Sequence, residues 1–182
     1  MERAAFESLA LEHLDACYRL ALQLTKHPDE ASDLVQETYL RALRSAASFG
    51  EERGGGMRSW LFTILHNAFY SRVERKARAP VLSENLDESA RSGDQGPGEA
   101  TPAWDLRSLD WEQVDGRLKK AIEDLSDEHR EILLMWGVEG MKYREIAGVL
   151  DVPIGTVMSR LHRARSILAK SLEAMAADRG WR

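Results

Sequence analysis

Residues 80–110 cannot build a core, and that divides this 182-residue chain into two halves. The segment holds Pro80, Pro97 and Pro102, Gly93, Gly96 and Gly98, and scattered Ser, Asp and Glu, with few large apolar side chains. Such a composition disfavours regular structure and reads as a linker. On both sides of it apolar residues return at helical spacing, without alternating strands or an internal repeat. The fold expected is therefore all-α: two small helical domains, residues 1–79 and 111–182, joined by a flexible acidic linker over 80–110.

Charge follows the same division. The net charge is −5. Residues 1–79 carry 11 basic and 11 acidic side chains, residues 80–116 carry 2 and 9, and residues 117–182 carry 12 and 10. The acidity thus belongs to the middle. Between Pro153 and Leu172 there are four basic residues and no acidic one, a local balance that suits nucleic acid despite the acidic total. No apolar run approaches the roughly 18 residues of a membrane span, and Met1–Ala10 lacks the apolar stretch of a signal peptide. A single cysteine, Cys17, forms no internal disulfide. No Cys or His cluster has metal-site spacing, so neither metal nor cofactor is expected, and the cytoplasm is the natural compartment.

In the first half, Phe6, Leu9, Cys17, Leu20, Ala21 and Leu24 are spaced for one helix face. Lys26-His27-Pro28 ends that helix. Asp29 then suits an N-cap and Glu30 the first turn of a second helix. Its apolar stripe is Ala31, Leu34, Val35, Thr38, Tyr39, Ala42 and Leu43, and its polar face is Asp33, Gln36, Glu37, Arg41 and Arg44. After a turn at Gly54-Gly55-Gly56, a third helix runs from about Arg58 to Lys76, with Leu61, Ile64, Leu65, Ala68 and Phe69 as core. It leaves in a basic run, Arg72, Arg75, Lys76 and Arg78.

In the second half, Val114, Leu118, Ile122 and Leu125 make a short helix. Ser126 suits an N-cap ahead of a helix through Ile132, Leu133 and Trp136, which Gly137 and Gly140 close. A helix over Lys142–Leu150, a turn at Asp151-Val152-Pro153 and a long helix from about Gly155 to Met175 complete the chain. Tyr143, Ile146, Ala147 and Leu150 form the buried side of the first of these two. Val152 and Ile154 pack the turn, and Val157, Leu161, Ala164 and Leu168 form the buried side of the second. This is a helix-turn-helix pattern. Its second helix offers Thr156, Ser159, Arg160, His162, Arg163 and Arg165, types that bond base edges and phosphates. A plain helical hairpin with a solvated basic face fits the same pattern.

Leu125–Leu133, Tyr143–Ala147 and Val152–Arg165 closely resemble the sigma-four domain of extracytoplasmic-function sigma factors, in the sigma-70 family. Asp33–Ala42 resembles their sigma-two polymerase-docking helix, and Ser59–Asn67 the helix that reads the −10 element. The order and spacing agree as well, with no sigma-one or sigma-three domain. The resemblance implies a promoter-specific initiation subunit, with core RNA polymerase (β′ clamp and β flap) and promoter DNA as partners, and an anti-sigma factor as regulator, typically in a stress response. It places Asp33, Gln36, Glu37 and Arg41 on the β′ coiled coil. Asn67 becomes the receiver of a flipped −10 base, to which an amide offers both donor and acceptor. Trp60 is either core or stacking platform. Arg72, Arg75, Lys76 and Arg78 either follow phosphates or form a solvated helix end. Thr156, Ser159, Arg160, His162, Arg163 and Arg165 fall at the −35 contacts. Met158 stands where many members carry a basic residue and His162 where some carry an aromatic one, so no member's consensus transfers. The acidic linker suits a cationic channel and equally suits plain disorder.

Other functions fit less well. A free-standing regulator needs a dimer to read paired half-sites, and no dimer helix or ligand pocket is legible. No metalloprotease, P-loop or nucleophile-elbow motif points to an enzyme, and the five histidines are scattered. A polymerase-binding module that ignores DNA leaves the basic helix unexplained.

Overall fold

The computed structural model describes residues 3–50, 56–78 and 116–178. The expected linker at 80–110, Gly54, Gly55 and Val114 lie outside them, as do the side chains of Arg78, Leu118 and Met175. Every regular element among the described residues is helical. The first half contributes α1 (Arg3–Leu11), α2 (Leu14–Thr25), α3 (Pro28–Arg44), a 3-10 turn (Ala46–Ser48) and α4 (Gly56–Arg78). The second contributes α5 (Gly116–Glu123), α6 (Asp127–Gly137), α7 (Tyr143–Leu150) and α8 (Ile154–Asp178).

The expected first helix is two. The amide of His13 reaches back to the Ala10 carbonyl at 3.1 Å, and the chain turns there before α2 begins. Apolar spacing continues across the turn because α1 and α2 serve the same core. Lys26 closes α2 in the left-handed region, φ 59°, and its amide bonds the Leu22 carbonyl. The cap of α3 also differs from expectation. The N-cap is His27, extended at φ −139° as a residue before proline tends to be, and Pro28 takes N1, where its missing N–H costs nothing. Asp29 and Glu30 sit in the first turn, favourable to the helix dipole, without capping it. The stripe holds except at Leu43, which is exposed.

Leu20, Leu24, Leu34, Leu61, Phe62 and Leu65 fill the first core, each 3% exposed or less. Ile132, Met135, Ile146, Val157 and Leu161 fill the second. Each such side chain contributes roughly 1.5–3 kcal/mol on leaving water. Two expectations for the turn and its flanks change: Ile154 is exposed and Ala147 only half-buried, while Val149 is buried. Gly56 and Gly140 take positive φ, 66° and 59°, where a side chain would be strained.

The two halves pack on each other, α2 against α6 and α4 against α7. The buried surface of α6 consequently extends right round the helix. Arg130 and Glu131 are each 1% exposed beside Ile132, Leu133, Leu134, Met135 and Trp136.

Candidate nucleic-acid interface

The turn between α7 and α8 is set by local chemistry. Glu145 accepts a 2.7 Å bond from the Lys142 amide and so ties down the start of α7. Asp151 ends it in the left-handed conformation, φ 51° and ψ 45°, a geometry aspartate tolerates better than most residues. The amide of Thr156 then bonds the Pro153 carbonyl at 2.9 Å, starting α8. Val157, Leu161, Ala164 and Leu168 bury one side of α8, which fixes what the other side presents.

That presented side is narrower than the sequence implied. His162, Arg163 and Arg165 are exposed, whereas Thr156, Ser159 and Arg160 are half-buried. Ser159 Oγ donates to the Thr156 carbonyl at 3.1 Å. Arg160 pairs with Glu128 at 3.0 Å. The Arg165 guanidinium lies over the Trp136 ring, 5.3 Å from its centroid, where a cation is attracted to the π face. Of the six candidate residues, His162 and Arg163 are the exposed ones that no hydrogen bond, ion pair or ring contact holds. Arg163 lies close enough to act electrostatically on His129. Burial lowers the His129 pKa against the opposing charge of Glu128, and the Arg160 and Arg163 charges lower it further.

On α4, Asn67 is exposed while Ala68 and Phe69 beside it are buried. Trp60 packs in the core, edge-on to Phe6 at 5.8 Å and to Phe49 at 5.3 Å. The basic run divides. Arg72 crosses to α3, bonding Glu37 Oε2 through Nε at 2.7 Å and the Asp33 carbonyl at 3.0 Å. Lys76 pairs with Glu30 at 3.2 Å, well exposed, and Arg75 bonds only its own helix, at the Ser71 carbonyl. Arg78 closes α4, its side chain beyond the described set.

On α3, Asp33 and Gln36 are exposed, and Glu37 and Arg41 are half-buried and paired to each other. Burial alone would raise the Glu37 carboxyl. Arg72 and Arg41 outweigh it and hold the group below the ordinary carboxylate range. Cys17 is fully buried and its thiol is pushed up to about 12, first by burial, so it is a poor nucleophile and a poor redox sensor. Among the described residues no cluster of His, Cys, Asp or Glu could hold a metal ion, and no helix is long and apolar enough to cross a membrane.

One set of residues escaped the sequence reading: Arg19, Arg58, His66 and Tyr70 on one side, and Arg130, Glu131 and Glu139 on the other. They line the contact between the halves. A clue was present in the five consecutive apolar residues from Ile132 to Trp136, too wide a band for a helix with one buried face.

Comparison with known proteins agrees with this geometry. Residues 9–79 match the family model for Sigma-70 region 2, and residues 115–168 match that for Sigma-70, region 4. The chain is 36% identical over 159 residues to the sigma factor EcfG of Rhodopseudomonas palustris, covering 87% of this chain and 80% of that protein. It is 32% identical over 176 residues to SigE of Mycolicibacterium smegmatis, covering 96% of this chain but only 64% of the longer relative. Among solved structures, the sigma factor RpoE of Bartonella quintana, in complex with the anti-sigma factor NepR, superposes with a TM-score of 0.67 at 32% identity, covering 93% and 97% of the two chains. CnrH superposes at 0.62 over 95% and 90%, and at 22% identity that likeness speaks to fold alone. The chain belongs to the extracytoplasmic-function sigma factors of the sigma-70 family, the subunits that direct RNA polymerase to initiate at particular promoters.

Proposed function

We propose that residues 1–79 dock on the polymerase clamp and read the −10 element, that residues 111–182 read the −35 element, and that 80–110 connects them. Asp33, Gln36, Glu37 and Arg41 form the docking face. Asn67 receives a −10 base, with Arg75, Lys76 and Arg78 along the phosphates. Arg72 contributes by holding α3 to α4, and Trp60 by packing. On α8, Arg163 and His162 meet base edges. Thr156, Ser159 and Arg160 flank them near the backbone, and Arg165 contacts phosphate or protein. The observation that carries this reading is the exposure of Asn67 and Arg163, each on a helix whose opposite side is core. The protein acts in the cytoplasm, where polymerase works, and initiation is its role in place of any enzymatic activity of its own. Regulation by an anti-sigma factor is supported by the Bartonella quintana relative, solved bound to one.

Transcription in vitro from a library of promoters, with purified core polymerase as the sole partner, tests the reading. New, sequence-dependent initiation is expected. Initiation only when a second sigma factor is supplied would make the chain an accessory regulator instead.

A further inference from the structure

Helix α6 lies outside the helix-turn-helix, yet it reaches the recognition helix through Glu128. Helices α6 and α8 pack together. Glu128, in the first turn of α6, takes the Arg160 guanidinium through Nη2 at 3.0 Å. The pair is open to water, with Glu128 53% and Arg160 28% exposed. His129, next along α6, feels the charges of Glu128, Arg160 and Arg163 together, so the four groups form one cluster where α6 meets α8. A half-exposed ion pair does little for the fold, because water screens it and two long side chains must be held still. Its effect on what α8 presents is larger.

The helical period makes Arg160 a natural partner of Arg163 in reading DNA. The two lie about 60° from each other round α8, whereas Arg165 lies about 200° from Arg163. Arg165 also rests over Trp136. Arg160 is nearer than Arg163 to the N-terminal end of α8, the end from which a helix-turn-helix contacts base edges. A guanine edge takes two parallel donors from one guanidinium. Arg160 gives Nη2 to Glu128 instead, so part of that fork is spent and its charge is met within the protein. Arg163, one turn further on, stays exposed. We propose that Glu128 is a specificity-determining residue of the −35 readout that acts through Arg160. It holds that guanidinium off the base edges and leaves the reading to Arg163 and His162. Glu128 contacts no base itself, so its part is that of a positioning residue. The inference rests on the assignment of α8 to the −35 element.

Holoenzyme carrying Glu128→Gln tests this on a panel of promoters that differ only at the −35 element. The amide keeps the shape of the side chain and gives up its charge, so the melting temperature should stay close to that of the unsubstituted protein. Affinity for the poorer −35 elements should rise roughly two- to fivefold, a modest change because the pair being broken is half-exposed. Affinity for the best element should change little, so the spread between elements narrows. The freed Arg160 charge should also steepen the fall of affinity with salt, by about 0.9 in the logarithmic slope if it settles on one phosphate. A second variant shows whether Arg160 carries the effect. In an Arg160→Ala background, adding Glu128→Gln should change neither selectivity nor salt slope. Unchanged selectivity in Glu128→Gln overturns the inference. So does a change that persists in full beside Arg160→Ala, which would make Glu128 a distant negative charge or a prop of the fold. Weaker binding to every promoter would mean that Glu128 aims Arg160 at the duplex, the reverse of what is proposed. Unsubstituted holoenzyme that ignores the −35 sequence would instead refute the assignment of α8, and the role of Glu128 would fall with it.

Discussion

Helices α4 and α8 are both assigned to DNA, yet they hold their polar side chains in opposite ways. On α4, protein carboxylates already satisfy much of the basic surface: Glu37 holds Arg72, Glu30 holds Lys76, Glu131 holds His66, and Glu139 faces Arg58. On α8, Glu128 and Trp136 occupy only the flanks, Arg160 and Arg165, and leave His162 and Arg163 facing outward. A helix with its donors open is ready to bind duplex DNA as it stands. On α4 the internal carboxylates commit most of the cationic groups to the fold, and the groups proposed to meet DNA, Asn67 and Arg75, are those they leave aside.

The sharpest way to break the comparison is to remove one free group from each helix. Arg163→Ala removes a fork able to bond a guanine edge bidentately. It should cost holoenzyme roughly 1–3 kcal/mol of promoter affinity, concentrated at one −35 base pair. Arg165→Ala, held over Trp136, should weaken all sequences by similar, smaller amounts. Asn67→Ala should leave initial binding intact and slow opening, seen as reduced permanganate reactivity of −10 thymines. Affinities across promoter variants at several salt concentrations separate these cases. If Arg163→Ala weakens every variant equally, the residue contacts phosphate, and α8 reads less sequence than proposed.

A second prediction, smaller in effect, concerns the α3 face. By periodicity alone Asp33 and Glu37 look equivalent, both opposite the apolar stripe. The structure separates them. Asp33 is exposed and its side chain can be reversed at little cost, whereas Glu37 is shared between Arg41 and Arg72. Asp33→Arg should weaken core binding without moving the melting temperature. Glu37→Arg should also cost about 1–2 kcal/mol of stability, between the values for exposed ion pairs and for charged hydrogen bonds. Equal melting temperatures for the two variants would mean the Glu37 pairs contribute nothing in solution.

Most of the architecture was legible in the sequence because helices with one buried face repeat their apolar residues every three to four positions. The break at His13 was hidden, since α1 and α2 share one core and the repeat runs through the turn. The α3 cap was misplaced by two residues because Asp29 looks like a cap, while Pro28 at N1 moves the start upstream to His27. Side-chain roles were harder. Arg72 and Arg75 look alike in a basic run, and only the proximity of Glu37 on another helix distinguishes them. The contact between the halves was invisible for the same reason: Glu131 and Glu139 find partners 61 to 120 residues away, and no local pattern records such pairs.

The smallest expected effect compares the two halves through their histidines. His13 is lowered by burial and then by Arg58, against Glu12 and Glu139. His129, which shares a 2.7 Å hydrogen bond with Ser126 Oγ, is lowered by burial against Glu128, and then by Arg160 and Arg163. In both, the folded chain takes up a proton less readily than the unfolded chain, whose imidazole titrates near the ordinary 6.5. The unfolded state therefore binds more protons just below that pH, and stability falls as pH drops through about 6.5 toward the folded values. Glu37 acts in a separate, more acidic window. Its stabilisation is present above the ordinary 4.5 and lost as pH falls through its lowered value. Denaturant melts between pH 7.5 and 5.5 should show a shallow loss of stability that His129→Gln and His13→Gln each reduce. If His13→Gln flattens the slope and His129→Gln does not, His129 titrates normally. Burial, the largest influence on that imidazole, would then be relieved by solvent, and the Arg160 and Arg163 charges screened with it.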